Sequence, residues 1–340
     1  MGMAELIAVD PTNPDPNIIC KAARIITTGG LVAFPTETVY GLGADATNPD
    51  SIRRIFAAKG RPSTNPLIVH CESMDRIRTC VSDWPTQAQI LAEAFWPGPL
   101  TLILPKSPLI PEIATAGLPH VGVRIPQSIV ACALIAASDR PIAAPSANRS
   151  NRISPTLAKH VSADLGDRIE MILDSGPCRA GVESTVLDLT RTIPTILRPG
   201  PIKADRISEI LGLQVLSLNE TLGEHQAHTS PGQSRVHYAP SKPLTLWLNH
   251  SPDFQALSDK NKAVFILGNN HGGQPDHSLE NQDRWVWIQD VTFAERELYA
   301  SLHRWDQDPS VQEIHVVIGS TSAEWVAVLN RLSRAAWVIY

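Results

Sequence analysis

A chain of 340 residues, with 43% hydrophobic and 19% charged side chains, can bury more than one core and is neither disordered nor low in complexity. The net charge of −5 is unevenly spread: residues 1–215 carry 20 Lys and Arg against 20 Asp and Glu, and residues 216–340 carry 9 against 14. Without clustered excess positive charge, strong nucleic-acid binding is not expected, although a small anion could still be held by a few focused cations.

Apolar runs such as 130–137 stop well short of the roughly 18 residues that span a bilayer, so no membrane role is expected. The N-terminus has an acid at Glu5 and no basic region before an apolar stretch, which does not read as a targeting peptide and points to the cytoplasm. The five cysteines, Cys20, Cys71, Cys80, Cys132 and Cys178, are widely spaced and form no CxxC pair. They support neither a disulfide framework nor a zinc site and read as small buried hydrophobes.

In chain order, strand-like runs ending at turn residues occur at 30–35, 66–70, 99–104, 121–126, 141–146, 171–176, 184–189 and 195–200. Helix-like stretches lie among them at 51–60, 86–95, 128–138 and 154–166, the last with Ser154 as N-cap and Pro155 at the first helical position. The alternation predicts an open α/β sheet. Residues 213–242 turn polar and lose periodicity, which marks a linker between a first domain at 1–212 and a second at 243–340. In the second, strands at 244–248, 262–268, 284–289 and 314–319 with amphipathic helices at 294–306 and 322–336 predict a smaller α/β domain.

Chemistry-bearing residues gather at the strand ends. In PTETVYGLG, Thr36 and Thr38 flank Glu37, and two glycines after Tyr40 predict that the chain leaves the sheet through a turn open to a ligand. The same residues would also serve a plain strand exit whose hydroxyls satisfy local backbone groups. Lys59 and Arg61 bracket a glycine at a helix end, and Pro62 and Pro66 hold the following loop extended past Ser63, Asn65 and His70. Such a loop suits phosphate or carboxylate recognition, whereas cations at a helix C-terminus are often only dipole partners. Arg124 interrupts an apolar strand and must meet an anion, either a protein carboxylate or a ligand. Ser146 and Asn148 follow another strand, Glu183, Ser184 and Thr185 precede one, and Arg198 ends one. No Walker, GxGxxG, HExxH or GxSxG motif is present, so anion binding falls to this dispersed set.

Read in order, PTETVYGLGADA, KGRPSTNPLIVH, FWPGPLTLIL, VGVRIP, APSAN, SPT, GVESTVLDL and LRPG resemble the YrdC-domain family. SPGQSRVHYAP at 230–240, AERELYASLHRWD and LNRLSRAA extend the resemblance over nearly the whole chain, to the family's long form with a linker and a C-terminal domain. That resemblance implies an open twisted mixed sheet with helices, followed by a smaller Rossmann-like α/β domain. It implies a nucleotidyltransferase that makes L-threonylcarbamoyladenylate and pyrophosphate from L-threonine, bicarbonate and ATP, for tRNA modification completed by downstream threonylcarbamoyl transferase proteins. Mg²⁺ would come with ATP, with no tightly bound metal site of the protein's own.

Carried over motif by motif, the resemblance makes Lys59 and Arg61 catalytic holders of phosphate. It places Asn65, Ser146, Asn148, Ser154 and Arg198 on the nucleotide side, with Tyr238 closing over the ATP. Thr36, Thr38, His70, Arg124 and Ser184 fall on the threonine side, Arg124 pairing with the amino-acid carboxylate. Gln233, Ser234 and Arg235 depart from the usual Met-Lys-Tyr stretch, and Asn151 stands where a glycine is common. An RNA-binding module without turnover is the alternative, disfavoured by the charge totals. A carbamoyltransferase subdomain would need zinc-finger and acylphosphatase-like segments that the sequence lacks.

Overall fold

The computed structural model describes residues 2–218, 237–248, 250, 252–259, 261–268 and 284–340. The chain divides into two compact units, Met1–Ser150 with Ser154–Arg235, and Asn151–Ile153 with Val236–Tyr340.

The first unit opens with β1 (Glu5–Ala8) and α1 (Pro16–Thr27), which periodicity alone did not suggest. α1 is nonetheless well specified locally: the Asp15 carboxylate accepts from Asn17 N–H and Pro16 occupies the first turn. β2 (Val32–Phe34) and β3 (Gly41–Asp45) form an antiparallel pair. The glycines after Tyr40 are therefore strand residues, which corrects the expected turn. A side chain on Gly43 would come within 2.7 Å of the Phe34 ring, so glycine here admits a packed aromatic from the partner strand.

α2 (Pro49–Lys59) is capped by the Asn48 side chain and stops at Gly60 in the left-handed conformation, φ 61°. β4 (Ile68–His70), α3 (Met74–Cys80), α4 (Thr86–Phe95), β5 (Leu100–Pro105), β6 (His120–Arg124), α5 (Ile129–Ser138) and the two-residue β7 (Ile142–Ala143) follow. α6 (Ala158–Leu165), β8 (Met171–Asp174), β9 (Thr185–Asp188), β10 (Thr195–Arg198), α7 (Ala204–Leu211) and β11 (Leu216–Ser217) complete the unit. Its mixed sheet has the order β1-β8-β2-β3-β7-β4-β6-β5-β9-β10-β11.

Strand alternation splits the apolar residues between two faces. Val32 and Phe34 pack with Ile19, Ala22 and Ile26 of α1 and Val130, Leu134 and Ile135 of α5. Leu31 and Ala33 join the larger core on Ile52 and Ile55 of α2, Leu91 of α4 and Val161 of α6. Cys71, Cys80 and Cys178 are buried as expected, but Cys20 is exposed and Cys132 is partly so.

Among the described residues the second unit holds a five-stranded sheet in the order β14-β13-β15-β12-β16, every neighbouring pair parallel. Its strands are β12 (Leu244–Trp247), β13 (Lys262–Leu267), β14 (Trp285–Ile288), β15 (Glu313–Ile318) and β16 (Val338–Ile339). α8 (Val291–Gln307) and α9 (Val326–Ala335) pack on it. All-parallel pairing requires crossover connections, as in the Rossmann-like domain expected, but here β15 lies between β13 and β12, where the usual doubly wound order would put β12 next to β13. Asn151 explains the glycine expected in its place: its φ is 67°, a left-handed value that only glycine and a few short polar residues adopt readily. Among the described residues no helix is long and apolar enough to cross a membrane.

Candidate active site

The candidate residues sit where the first unit's strands and helices end. α2 delivers Lys59 as its last helical residue, almost wholly buried. Its ammonium donates to the Ser146 carbonyl at 2.5 Å, to the Asn148 carbonyl, and to Asn148 Oδ1 at 3.3 Å. The KxR and SxN elements, 87 residues apart, thus meet directly. Burial, and then the neighbouring Arg61 charge, push the Lys59 pKa well below its ordinary value. Three oxygen acceptors favour the ammonium against that push, and we take it as the form present in this arrangement. Arg61, just past Gly60, folds back on its own loop and donates to Asn65 and Pro66 carbonyls at 3.4 and 3.1 Å. Asn65 Oδ1 is buried with no partner among the described residues.

Arg124 ends β6 beside His70, its register partner at the end of β4. Arg124 does not wait for a ligand anion. Its Nη2 donates to Glu37 Oε1 at 2.5 Å in an ion pair 3% and 4% exposed. Its Nη1 donates to Thr38 Oγ1 at 3.2 Å and its Nε to the Gly98 carbonyl at 3.0 Å. Of the two anions the sequence left open for it, the protein supplies one, because an isolated buried guanidinium is too costly. Among the described residues three of the five guanidinium N–H groups are used, and two are left over.

Thr36 and Thr38 share a hydroxyl hydrogen bond of 2.8 Å, and Thr36 Oγ1 also donates to the Val39 carbonyl at 2.7 Å. His70 is fully buried, edge-on to Phe34, and its Nδ1 has no partner among the described residues. Burial, reinforced by Arg124, pushes its pKa down to about 3, so the ring is neutral at physiological pH.

Ser184 and Arg198 form a third cluster. Arg198 donates from Nε and Nη2 to the Ser184 carbonyl at 3.1 and 3.0 Å and from Nη2 to Ser184 Oγ at 3.1 Å, and Ser184 Oγ lies 2.8 Å from Thr101 Oγ1. A side chain on Gly200 would come within 2.4 Å of Thr185 N, so glycine lets the segment after β10 lie against this turn. Ser154 does not cap α6, whose N-cap is Leu157. Its hydroxyl donates instead to Glu183 Oε1 at 2.5 Å, a charge-assisted bond that ties the segment before α6 to the turn before β9.

Backbone bonds stitch the clusters together. Tyr40 N–H donates to the Pro155 carbonyl at 2.9 Å, Ala147 N–H to Tyr40 at 2.8 Å, and Ser150 N–H to Lys59 at 2.8 Å. Ala180 N–H donates to Glu37 at 2.7 Å and Thr185 N–H to Pro99 at 3.0 Å. Tyr238, for which the resemblance implies a nucleotide contact, belongs to the second unit. There it is buried with φ 64°, its ring 5.7 Å from Tyr299 and under the Arg331 guanidinium at 5.6 Å. Residues 233–235 lie outside the described ones. Sequence reasoning gave Glu37 and Glu183 no role, although the hydroxyls beside each, in TET and EST, mark both as buried polar turns. Among the described residues no three His, Cys, Asp or Glu side chains gather to hold a metal ion.

Residues 24–200 match the Sua5, YciO and YrdC family profile described as telomere recombination, and residues 202–337 match that of the threonylcarbamoyl-AMP synthase C-terminal domain. The threonylcarbamoyl-AMP synthase of Pyrococcus abyssi is 49% identical over 321 residues, 93% of each chain. That of Bacillus subtilis is 47% identical over 335 residues, 95% of this chain and 93% of its own. The crystal structure of P. abyssi Sua5 complexed with L-threonine superposes with a TM-score of 0.86 at 38% identity, covering 98% of both chains. With matching profiles over both parts and full-length relatives at this identity, the chain belongs to the threonylcarbamoyl-AMP synthase family.

Proposed function

We propose that this chain joins L-threonine, bicarbonate and ATP into L-threonylcarbamoyladenylate, releasing pyrophosphate. The observation that carries this reading is Lys59: a buried ammonium held by carbonyl oxygens, with no carboxylate paired to it among the described residues. An uncompensated buried cation is costly unless an anion arrives to share the site, and a nucleotide phosphate is such an anion.

The chemistry asks for alignment more than for a nucleophile. Threonine's amine and bicarbonate give a carbamate and water, and the carbamate oxygen then attacks the α-phosphorus as pyrophosphate leaves. Mg²⁺ enters and departs on the phosphates as part of the substrate. Two anions must be brought together, and positive charge must meet the charge that develops on phosphorus. Lys59 and Arg61 supply that charge, while Asn65, Ser146, Asn148, Ser154 and Arg198 hold the nucleotide. Thr36, Thr38, His70, Ser184 and the two remaining Arg124 N–H groups receive threonine. The product serves tRNA threonylcarbamoylation by downstream transferase proteins in the cytoplasm.

The test is to mix the protein with ATP, Mg²⁺, bicarbonate and one amino acid at a time, and to look for an adenylate by mass spectrometry. Threonine should give the threonylcarbamoyl adenylate, with much less product from serine. Equal ATP consumption with and without threonine would overturn the reading.

A further inference from the structure

Glu37 stands in the middle of PTETV, buried among groups assigned to substrate, and the reaction described above gives it nothing to do. A carboxylate there would repel anionic substrates if its own charge were not answered. Its two oxygens are both engaged: Oε1 accepts from Arg124 Nη2, and Oε2 accepts from Gln127 N–H at 3.0 Å. Its backbone carbonyl accepts from Ala180 N–H at 2.7 Å. One residue therefore ties three segments together: the loop between β2 and β3, the end of β6 with the chain leading into α5, and the turn before β9.

We propose that Glu37 is a positioning residue for the amino-acid substrate, acting through Arg124. Its carboxylate fixes the plane of the guanidinium by holding one Nη2 hydrogen, and the Gly98 carbonyl fixes it from the Nε side. The planar fork then has fixed directions for the two N–H groups, one on each Nη, that are unused among the described residues. The same orientation sets the Nη1 hydrogen on Thr38 Oγ1, which lies 2.8 Å from Thr36 Oγ1, so both threonine hydroxyls take their hydrogen-bond direction from this ion pair. Glu37 also cancels the guanidinium charge, leaving recognition there to depend on geometry. Lys59, without a paired carboxylate, attracts phosphate by charge. This division keeps the nucleotide's phosphates off the amino-acid subsite.

The inference rests on the synthase reading, and the wild-type enzyme measured alongside keeps the two apart. In steady-state pyrophosphate release, Glu37→Gln should raise the threonine KM about tenfold or more while the ATP KM stays within about threefold. Glu37→Asp, which restores the charge, should recover most of that loss. A purely structural role would lower thermal stability without splitting the two KM values. An unchanged or lowered threonine KM in Glu37→Gln overturns the positioning role, the second result meaning that Glu37 competes with the substrate. If the single variant does not fold, the charge-neutral pair Glu37→Gln/Arg124→Gln removes the stranded buried charge. That pair should bind ATP as the wild type does and bind threonine at least tenfold more weakly, and wild-type threonine binding overturns the inference. Absence of threonine-dependent pyrophosphate release from the wild type defeats the synthase reading instead.

Discussion

Lys59 and Arg124 are both cations at element ends of one unit, both about 3% exposed, yet the protein treats them in opposite ways. Arg124 is closed into an ion pair with Glu37, and Lys59 is surrounded by neutral carbonyl oxygens while Asp164 and Glu183 act on it only through space. The first arrangement has its charge balanced without ligand and keeps only N–H groups to offer. The second leaves positive charge in a dry environment and gains most when an anion arrives. The difference teaches that burial of a cation does not by itself say what it attracts: one whose charge has been answered offers hydrogen-bond geometry, and one whose charge has not attracts an anion by charge.

Breaking the answered charge should cost the most stability. Arg124→Met strands the Glu37 carboxylate, and removing one partner of a buried pair typically costs about 3–5 kcal/mol. Denaturant unfolding should show that loss in the first unit, and Glu37→Leu/Arg124→Met should recover most of it. Removing the unanswered charge should instead be felt in turnover. Lys59→Ala is expected to slow adenylate formation by about 10² to 10³, the typical cost of losing one transition-state charge partner, as read by pyrophosphate release at saturating substrates.

A smaller effect concerns pH and sharpens the contrast, because Arg124 helps to keep His70 neutral. Its pKa of about 3 lies below the unfolded value of 6.5, so the unfolded chain binds more protons in that window. Stability from this group is therefore complete above pH 6.5 and is lost as pH falls toward 3, by at most about 1.4 kcal/mol per pH unit. His70→Gln should flatten the acid side of the stability profile. The smallest effect is expected at the surface: Lys21 and Glu5, about half exposed, pair at 2.6 Å, and Lys21→Ala should change stability by less than about 1 kcal/mol.

Much of this was legible in the sequence. Arg124 inside an apolar strand announced a partner, and Lys59 with Arg61 around a glycine announced a helix end carrying charge. Local pattern could not tell which anion Arg124 meets, because Glu37 lies 87 residues away and β3, β7 and β4 separate β2 from β6 in the sheet, so it is the loop after β2 that reaches Arg124. Gly41 and Gly43 misled for a related reason: glycine in a strand signals close approach as readily as it signals a turn, and the ring that needs the space belongs to Phe34 on the neighbouring strand. Ser154 before Pro155 has the local form of a helix start, but a long-range carboxylate, Glu183, claims its hydroxyl. α1, capped by Asp15 and opened by Pro16, carries its start signal openly, but β1 before it is only four residues long and mostly exposed, too short to mark a strand by periodicity.

The division of labour between the two cations is tested most directly by steady-state pyrophosphate release with ATP and threonine varied separately. The variants are Lys59→Ala and the charge-neutral Glu37→Gln/Arg124→Gln. The expected result is a crossover: the lysine variant loses ATP saturation or turnover and keeps its threonine KM within about threefold, while the paired variant keeps its ATP KM and loses threonine affinity. If both variants shift the same substrate's KM, or if Lys59→Ala weakens threonine alone, the account is contradicted.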